Sequence, residues 1–522
     1  MIYERSDNRQ IGDGMVYIRH DTFLDYPSIP PYHPSEEYPE YPFSNKVSEA
    51  ENRVYSTLRT ILFDLGLDKE RFGTEEWNPL GEYVSKSGSI TIKPNWVWDP
   101  PYCFDDATSL FATVTHSSLI RAVVDYAYLA VGDTGKISVL DSPIEDTDWT
   151  RLHRWTKFAD VMDFFKESTN VPIHLVDLRD FRTIHSTRTI PIGRHRLSLA
   201  YRQEMDGDPL GYVEFNLGAS SEFSRPDFEN YKLLRSPQKW TGKNVLRFHS
   251  KNTHTYSISK TVLDSDLLIN LPKLKSHKKA GVTLSLKGLI GVTDRKDALP
   301  HFKAGFPPKG DEHPLPRSLK QRFLIGLSNF GIAKKLGVSI NPHKQKKKAL
   351  PCGESMNHEV QWQDIRVGDW YGADTLWRTI LDINKVVLCG SSKGDITNTR
   401  QRKYLSIIDG IIGGEGESPL HPTAKRANLL MASEDPVALD TVSSFLMGFD
   451  PNKIPSIRQA WNLHEIRGTD IPVTDVEVRF NETEMMKIGQ LREFLVKNTR
   501  FITRFCPSIG WFGHIEFMNS TS

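Results

Sequence analysis

The stretch GSITIKPNWV, residues 88–97, decides the predicted fold. Its first half, residues 89–92, is short, apolar and β-branched, which is typical of a buried strand. A helical pattern covers residues 119–130, and KISVLDSP at 136–143 then predicts a second strand that ends at Asp141. A strand, a helix and a strand in this order predict a parallel sheet.

Further segments extend this α/β pattern. Residues 267–271 predict another strand, and residues 280–290 predict a helix. NKVVLCG at 384–390 and YLSIIDGII at 404–412 are strand candidates, whereas DPVALDTVSSFLMG at 435–448 opens with an aspartate cap followed by proline and predicts a helix. We therefore expect an α/β fold with a mainly parallel sheet and helices on both faces.

Two segments stand outside this pattern. Residues 22–45 hold six prolines and four tyrosines, which predicts an extended N-terminal strap over the surface. Residues 315–348 hold nine lysines and arginines and no acid, within a basic insertion that can form an amphipathic helix at a membrane surface or expose a solvated positive face. The predicted parts are 1–88 (strap and helix), 89–305 (first α/β part), 306–348 (basic insertion), 349–460 (second α/β part) and 461–522 (C-terminal extension).

Composition narrows the class of protein. The 66 lysines and arginines balance 65 aspartates and glutamates, so no overall field attracts nucleic acid. The four cysteines lie too far apart for an iron–sulfur cluster, and they predict a reducing compartment. The N-terminal residues resemble no signal peptide, and no stretch is apolar enough to span a membrane. We expect a cytoplasmic protein.

Ligands of α/β sheets bind beyond the carboxyl ends of the strands, so the residues after each strand are the candidates for a site. These residues are rich in cations and in hydrogen-bonding groups. They are Lys93, Asn95, Asp141, Lys273, Lys275, His277 and Asp409. We expect the strands before Lys93 and Lys273 to lie side by side. Three lysines that face one crevice repel one another unless they bind an anion, whereas Lys273 and Lys275 could instead point outward. The set predicts an anion site made by Lys93, Asn95, Lys273 and Lys275.

Lys287 is a separate candidate because the stretch VTLSLKGLIGV around it is otherwise apolar. A lysine in such a stretch either extends its amine to water or is held at a site. His277 precedes it by ten residues and His301 follows it by fourteen, so proton transfer or metal binding is available nearby. We therefore predict His277 and Lys287 as catalytic residues and His301 as a metal ligand.

The glycine-rich run GIIGGEG at 410–416 lacks the spacing of a phosphate-binding or dinucleotide loop. It predicts a flexible turn after a strand that approaches a ligand closely. Glu415 and Glu417 could then act as general bases or metal ligands, or lie in solvent.

Three longer motifs carry a resemblance to a known family. They are IKPNWV at 92–97, INLPKLKSHKKAGVTLSLKGLIG at 269–291, and the pair IIDGIIGGEGESP and ASEDPVALDTVSSFLMGFDPNKIP within 407–455. Together they resemble the domain-of-unknown-function 362 family, with a core from about residue 90 to 460. Some relatives append a ferredoxin-type cluster domain, which the cysteine spacing excludes here.

The order of several residues is also similar to that of the nickel-pincer lactate racemases. The matching positions are Lys93, Thr115 with His116, Ser276 with His277 before Ala280 and Gly281, Lys287 and His301. This resemblance implies that Lys287 holds a nickel-pincer nucleotide through a thioamide and that His301 ligates nickel. His116 and His277 would be the paired acid and base, and Lys93 would bind an anion.

The chain departs from the racemase pattern next to the lysine. Ser285 and Leu286 stand where the racemases have two glycines, and Lys93 stands where they have arginine. Glycines allow a bulky cofactor to approach the backbone closely, so cofactor binding is in doubt.

These observations favour an enzyme that acts on a small hydroxylated anion, such as a hydroxy acid, sugar acid or sugar phosphate. Epimerisation or racemisation by hydride transfer is the reaction that the racemase similarity implies. The alternative is a non-catalytic protein that binds an anionic ligand or partner through the basic loop at 273–287 and the insertion at 315–348.

Overall fold

A computed structural model of the chain describes residues 14–99, 107–192, 195–236, 243–313, 367–498 and 503–516. Most of the predicted insertion lies outside these ranges. Residues 306–313, which begin it, are described, and Asp311, Glu312 and His313 are buried.

The described residues form eighteen strands, which pair mainly into one large sheet. The strands are β1 (Met15–His20), β2 (Ser89–Pro94), β3 (Lys136–Asp141), β4 (Ile173–Asp177), β5 (Phe181–Ile192), β6 (His195–Glu204), β7 (Tyr212–Asn216), β8 (Leu234–Arg235), β9 (His249–Ser250), β10 (Thr253–Ser259), β11 (Leu267–Leu271), β12 (Lys273–His277), β13 (Gly281–Val282), β14 (Phe302–Lys303), β15 (Lys403–Glu417), β16 (His421–Ser433), β17 (Glu477–Phe480) and β18 (Met486–Lys487).

The α-helices of the described residues are numbered in chain order. They are α1 (Arg53–Asp64), α2 (Ala107–Thr113), α3 (Ser117–Val131), α4 (Trp149–Trp155), α5 (Phe158–Ser168), α6 (Lys243–Phe248), α7 (Lys260–Leu263), α8 (Ser285–Gly288), α9 (Leu376–Cys389), α10 (Pro436–Leu446), α11 (Pro455–Ala460), α12 (His464–Arg467) and α13 (Ile488–Lys497).

The large sheet has eleven strands and is mixed, with a parallel centre. Five neighbouring strands run parallel in the order β15, β11, β2, β3 and β4. Beyond β15, strand β16 is antiparallel to both of its neighbours, β15 and β1, whereas β1 is parallel to β17. Strand β12 pairs in parallel with β15. The predicted α/β fold with a mainly parallel sheet is confirmed.

Helices cover both faces because the central strands are apolar on both sides. Leu267, Ile269 and Leu271 of β11 pack in one core cluster with residues of α1, α3 and α5. Leu268 packs in the other cluster with residues of α9 and α10. The alternation along one strand therefore joins two hydrophobic cores.

Three predicted local structures are wrong. Residues 384–389 belong to helix α9 rather than to a strand. Every residue of this helix is buried, and a short apolar run within a buried helix cannot be told from a buried strand. Residues 280–290 are not one helix, because Gly281 has a φ of +81° and lies in β13, before α8 begins. The run at 410–416 continues strand β15 between its neighbours β12 and β16 instead of turning.

The glutamates of that run stabilise the C-terminal segment. Glu415 accepts a hydrogen bond of 2.9 Å from the backbone N–H of Cys506, and Glu417 accepts one of 3.1 Å from that of Ile509. Their carboxylates are therefore engaged in packing the end of the chain against β15.

Cys506 is disulfide-bonded, and Cys389 is free and buried. This disulfide counts against the reducing compartment that the cysteine spacing predicts. None of the helices in the described ranges is long and apolar enough to cross a membrane.

The strap between β1 and α1, residues 21–52, contains neither helix nor strand and packs Tyr32, Tyr41 and Phe43 into the core. Arg121 of α3 fastens it, because its guanidinium donates to the carbonyl of Pro31 at 2.8 Å and to the hydroxyl of Tyr41 at 2.9 Å. The same guanidinium forms a fully buried ion pair of 2.8 Å with Asp125.

Replacing Arg121 should therefore destabilise the fold strongly. We expect Arg121→Ala to cost about 3–5 kcal/mol of unfolding free energy, because it leaves the Asp125 carboxylate buried without its counter-ion. Urea denaturation followed by tryptophan fluorescence measures this. Lys166→Ala is the control, since Lys166 pairs with Asp163 where both side chains are 70% exposed, and it should change stability by less than about 0.5 kcal/mol. Equal stabilities of the two variants would contradict this role of Arg121.

Candidate functional site

The carboxyl ends of β2 and β11 lie side by side, as the sequence predicts. In the parallel register of these strands Asn270 is opposite Lys93 and Leu271 is opposite Pro94. Lys273 follows β11 after one residue, so Lys93 and Lys273 leave neighbouring strands at the same edge of the sheet. Both lysines and Lys275 are buried, which excludes the outward orientation of Lys273 and Lys275.

Lys93 is neutralised by the aspartate that ends β3. Its amine lies 2.8 Å from Asp141 Oδ1 and donates to the Pro94 carbonyl at 2.5 Å. Asp141 also accepts from the backbone N–H of Trp96 at 2.7 Å. Burial lowers the pKa of Lys93, and the Asp141 carboxylate opposes that shift.

Gly291 closes over this ion pair. A Cβ at this position would lie 2.2 Å from Asp141 Oδ1 and 2.6 Å from Lys93 Nζ. Any side chain there would displace the pair, so the close approach requires glycine.

Lys273 is neutralised by Asp409 of β15 and is also bound by the strap. Its amine lies 3.0 Å from Asp409 Oδ2 and donates to the Tyr26 hydroxyl at 2.6 Å. Tyr26 in turn donates to Asp409 Oδ1 at 2.5 Å. Asp409 also accepts the backbone N–H of His116 at 2.9 Å, and the His116 ring stacks on Tyr26 with centroids 4.0 Å apart.

Lys275 is buried without a carboxylate. Its amine donates to the backbone carbonyl of Thr113 at 2.6 Å, and it forms no ion pair within the described residues. Burial first, and then repulsion by Lys287 and Lys273, hold the pKa of Lys275 well below its ordinary value. This amine therefore lacks the carboxylate counter-ion that Lys93 and Lys273 have.

Asn95 joins the two strand ends through its backbone rather than through its side chain. Its N–H donates to Thr115 Oγ1 at 2.9 Å, and that hydroxyl donates to the Leu271 carbonyl at 2.6 Å. The side-chain oxygen of Asn95 is buried and has no hydrogen-bond partner among the described residues.

The short helix α8, which carries Lys287, is fixed by three buried polar side chains. Asp440 of α10 accepts the backbone N–H groups of Ser285 at 2.7 Å and Leu286 at 3.0 Å. The carbonyls of these two residues accept from Asn270 at 3.0 Å and from Asn384 at 2.6 Å, respectively. The backbone before Lys287 is therefore held by helices α9 and α10 and by strand β11.

The Lys287 amine has no hydrogen bond or ion pair with any described residue, and its side chain is half-buried. Burial and repulsion by Lys296 and Lys93 lower the pKa of Lys287 to about 7. Half of its amines are then neutral near pH 7. A lysine of this kind can act as a base or a nucleophile.

Lys296 is a second half-buried lysine without a hydrogen bond or ion pair in the described part of the chain. Burial lowers its pKa to about 8, and the Asp141 carboxylate opposes the shift. Lys296 and Lys287 both interact electrostatically with Asp141 and Lys93. Lys296 interacts in addition with Asp177 and Arg179, whereas Lys287 interacts in addition with Lys275, His277 and His301.

His277 and His301 both interact electrostatically with Lys287, and they present different atoms. His277 Nδ1 accepts the backbone N–H groups of Lys279 and Ala280 at 3.0 and 3.2 Å, so its proton is on Nε2. His301 Nδ1 donates to the Leu299 carbonyl at 3.0 Å, so its Nε2 carries a lone pair. Burial lowers the pKa of His301 to about 3 and holds that of His277 well below its ordinary value.

The two imidazoles of the predicted acid–base pair do not meet. His116 interacts with Lys273 and packs on Tyr26, Tyr32 and Phe111, and no contact with His277 occurs among the described residues. Its pKa is held well below the ordinary value, chiefly by burial. The structure thus divides the predicted residues into a group around Lys273 and a group around Lys287.

The surroundings of Lys287 do not fit a nickel-pincer nucleotide. Ser285 and Leu286, which replace the racemase glycines, are buried and bound to Asp440, so no open cradle faces the lysine backbone. Within the described ranges, no group of three or more histidines, cysteines, aspartates or glutamates could hold a metal ion. We assign no step to this cofactor, and metal binding by His301 stays a prediction.

Sequence reasoning missed Tyr26, Lys296 and Gly291. Tyr26 lies in the strap. The aromatic content of the strap indicated that it packs against the protein, but it did not show which tyrosine reaches the site. Lys296 and Gly291 lie within the fifteen residues from Lys287 to His301, where the sequence alone does not show which residues face the site.

Comparisons with known proteins find similarity over part of the chain. The thylakoid-associated protein sll1697 of Synechocystis sp. is 25% identical over 201 residues, which cover 38% of this chain and 38% of that protein. No solved structure matches the chain. Neither the family match nor this relative supports the racemase similarity. The family model described as "Domain of unknown function (DUF362)" matches residues 235–444, which include α8 and β12, so this part of the chain is similar to that family.

Proposed function

We propose that the protein is an enzyme that binds a small hydroxylated anion among the lysines at the carboxyl edge of the sheet. Hydroxy acids, sugar acids and sugar phosphates are the substrates of this class. The observation that carries the proposal is the Lys287 amine, which has no partner among the described residues and has a pKa of about 7.

The balance of charge supports an anionic substrate. Five lysines interact at this edge, and within the part of the chain that the structure describes two carboxylates, Asp141 and Asp409, form ion pairs with them. The lysines are Lys93, Lys273, Lys275, Lys287 and Lys296. An anion bound near Lys275 and Lys287 would oppose the repulsion that lowers their pKa values. We therefore assign anion binding to Lys275 and the reaction to Lys287.

The reaction we propose is epimerisation or racemisation at a carbon that bears a hydroxyl group. A lysine whose pKa lies near the working pH is suited to carry a proton in such a reaction. His277 can donate from Nε2, and His301 can accept at Nε2, on account of their hydrogen bonds. Hydride transfer would need a redox cofactor, to which no residue here is assigned.

The alternative is a non-catalytic protein that binds a macromolecular partner through the basic loop at 273–287. That alternative needs accessible charge. Lys273 and Lys275 are fully buried, so they suit a small ligand that enters the site better than the surface of a partner.

Anion binding should be coupled to proton uptake. Because the pKa values of Lys275 and Lys287 are lowered, an anion that raises them makes the protein take up protons near pH 7. Calorimetric titration with inorganic phosphate, in buffers of different ionisation enthalpy, measures the number of protons taken up. We expect uptake at pH 7.5 in the wild type, at least tenfold weaker binding in Lys275→Met, and no change in Lys136→Met, which alters an exposed lysine. Phosphate binding without uptake would contradict the assignment.

Two lysine variants should affect stability in opposite ways. Lys93→Met leaves Asp141 buried without its counter-ion, so we expect a loss of about 3 kcal/mol or more. Lys287→Met removes an amine whose folded pKa is depressed, which opposes folding at pH 7, so the variant should be as stable as the wild type or more stable. Urea denaturation at pH 7 compares them. A Lys287→Met variant that lost as much as Lys93→Met would show that Lys287 serves packing.

A further inference from the structure

We infer that Lys287 forms an imine with a carbonyl group of the substrate, so that the site takes a hydroxyaldehyde or hydroxyketone that also carries an anionic group. This inference rests on the proposed function and names its substrate class more closely. It depends on the Lys287 amine, which has no hydrogen bond or ion pair within the described residues. The buried amines of Lys93, Lys273 and Lys275 each have such a partner.

Lys287 differs from its neighbours in what its amine contacts. The amines of Lys93 and Lys273 lie against carboxylates, and that of Lys275 donates to a backbone carbonyl. Each of these bonds would have to break before the nitrogen could attack carbon. The Lys287 amine has no such bond within the described ranges, so its lone pair is available whenever it is unprotonated.

Lys296 is also unpartnered, but its surroundings are unsuitable. It interacts with two carboxylates, Asp141 and Asp177, which favour its protonated form and would repel an anionic substrate. Lys287 interacts with Asp141 alone of these two, and also with Lys275, His277 and His301, which can bind an anion or carry protons.

The backbone of α8 supplies the rigidity that covalent chemistry needs. Asp440, Asn270 and Asn384 hold the residues before Lys287 through four hydrogen bonds of 2.6 to 3.0 Å. The root of the lysine side chain is therefore fixed, while its end remains free to follow the reacting carbon.

The chemistry balances without an oxidant or a reductant. The neutral amine adds to the carbonyl carbon and the carbinolamine loses water, so one C=N bond replaces one C=O bond. The protonated imine withdraws electrons from the neighbouring hydroxyl-bearing carbon. His301 Nε2 can accept the proton of that carbon, because its Nδ1 donates to the Leu299 carbonyl and leaves the lone pair on Nε2. Return of a proton to the opposite face, followed by hydrolysis, gives the epimer and the free lysine.

Pyridoxal 5′-phosphate tests this step, used only as a reagent that carries both an aldehyde and a phosphate. The full chain is incubated with it, reduced with borohydride and mapped by peptide mass spectrometry. We expect one main adduct, on Lys287, and none at that peptide in Lys287→Met. Pyridoxal, which lacks the phosphate, should label Lys287 at least tenfold more slowly, and inorganic phosphate should slow labelling by the phosphate ester.

The pH dependence of labelling separates Lys287 from an ordinary lysine. Labelling of Lys287 should rise with a midpoint near pH 7, the pKa of its amine, and at that pH it should be faster than labelling of exposed Lys136, the internal reference. Equal rates at the two lysines would overturn the inference. If phosphate binds with proton uptake but Lys287 stays unlabelled, the imine is wrong and the anion site stands. If phosphate does not bind either, both the inference and the proposed function fail.

Discussion

Burial of lysine amines at the carboxyl edge of the sheet is the constraint on which the site depends. A buried cation is costly unless a carboxylate lies beside it. Asp141 and Asp409 supply this compensation for Lys93 and Lys273, each from a neighbouring parallel strand. The Lys275 amine has only a backbone carbonyl as its partner. Its positive charge therefore has no compensating carboxylate, and in our proposal an anionic ligand supplies the negative charge.

The same edge is held together by polar contacts that span distant parts of the chain. The strap reaches it through Tyr26, which bonds to both members of the Lys273–Asp409 pair. Helix α10 reaches it through Asp440, which holds the backbone of α8. Rigid support of a site by a second layer of hydrogen bonds is what keeps a reactive group in position, and here it leaves Lys287 as the group that is free to react.

The sequence predicted the sheet and its lysine-rich edge because both depend on local signals. Short β-branched runs mark parallel strands, and the residues that follow them fall on one edge. The segment 384–390 could not be assigned in this way, since a helix buried on all sides has the same apolar composition as a strand. Tyr26 was not predictable either, because its partner Asp409 lies 383 residues away and only the fold brings them together. The pairing of Lys93 and Lys273 with carboxylates likewise appears only in three dimensions.

The protonation of the Lys287 amine is the property from which the proposed chemistry follows. Carbon-13 labelling of the lysine side chains, with the Lys287 resonance assigned by its absence from Lys287→Met, allows that amine to be titrated by NMR. The account predicts a midpoint near pH 7 that moves upward when inorganic phosphate binds. An ordinary midpoint of about 10.4, unchanged by phosphate, would contradict it.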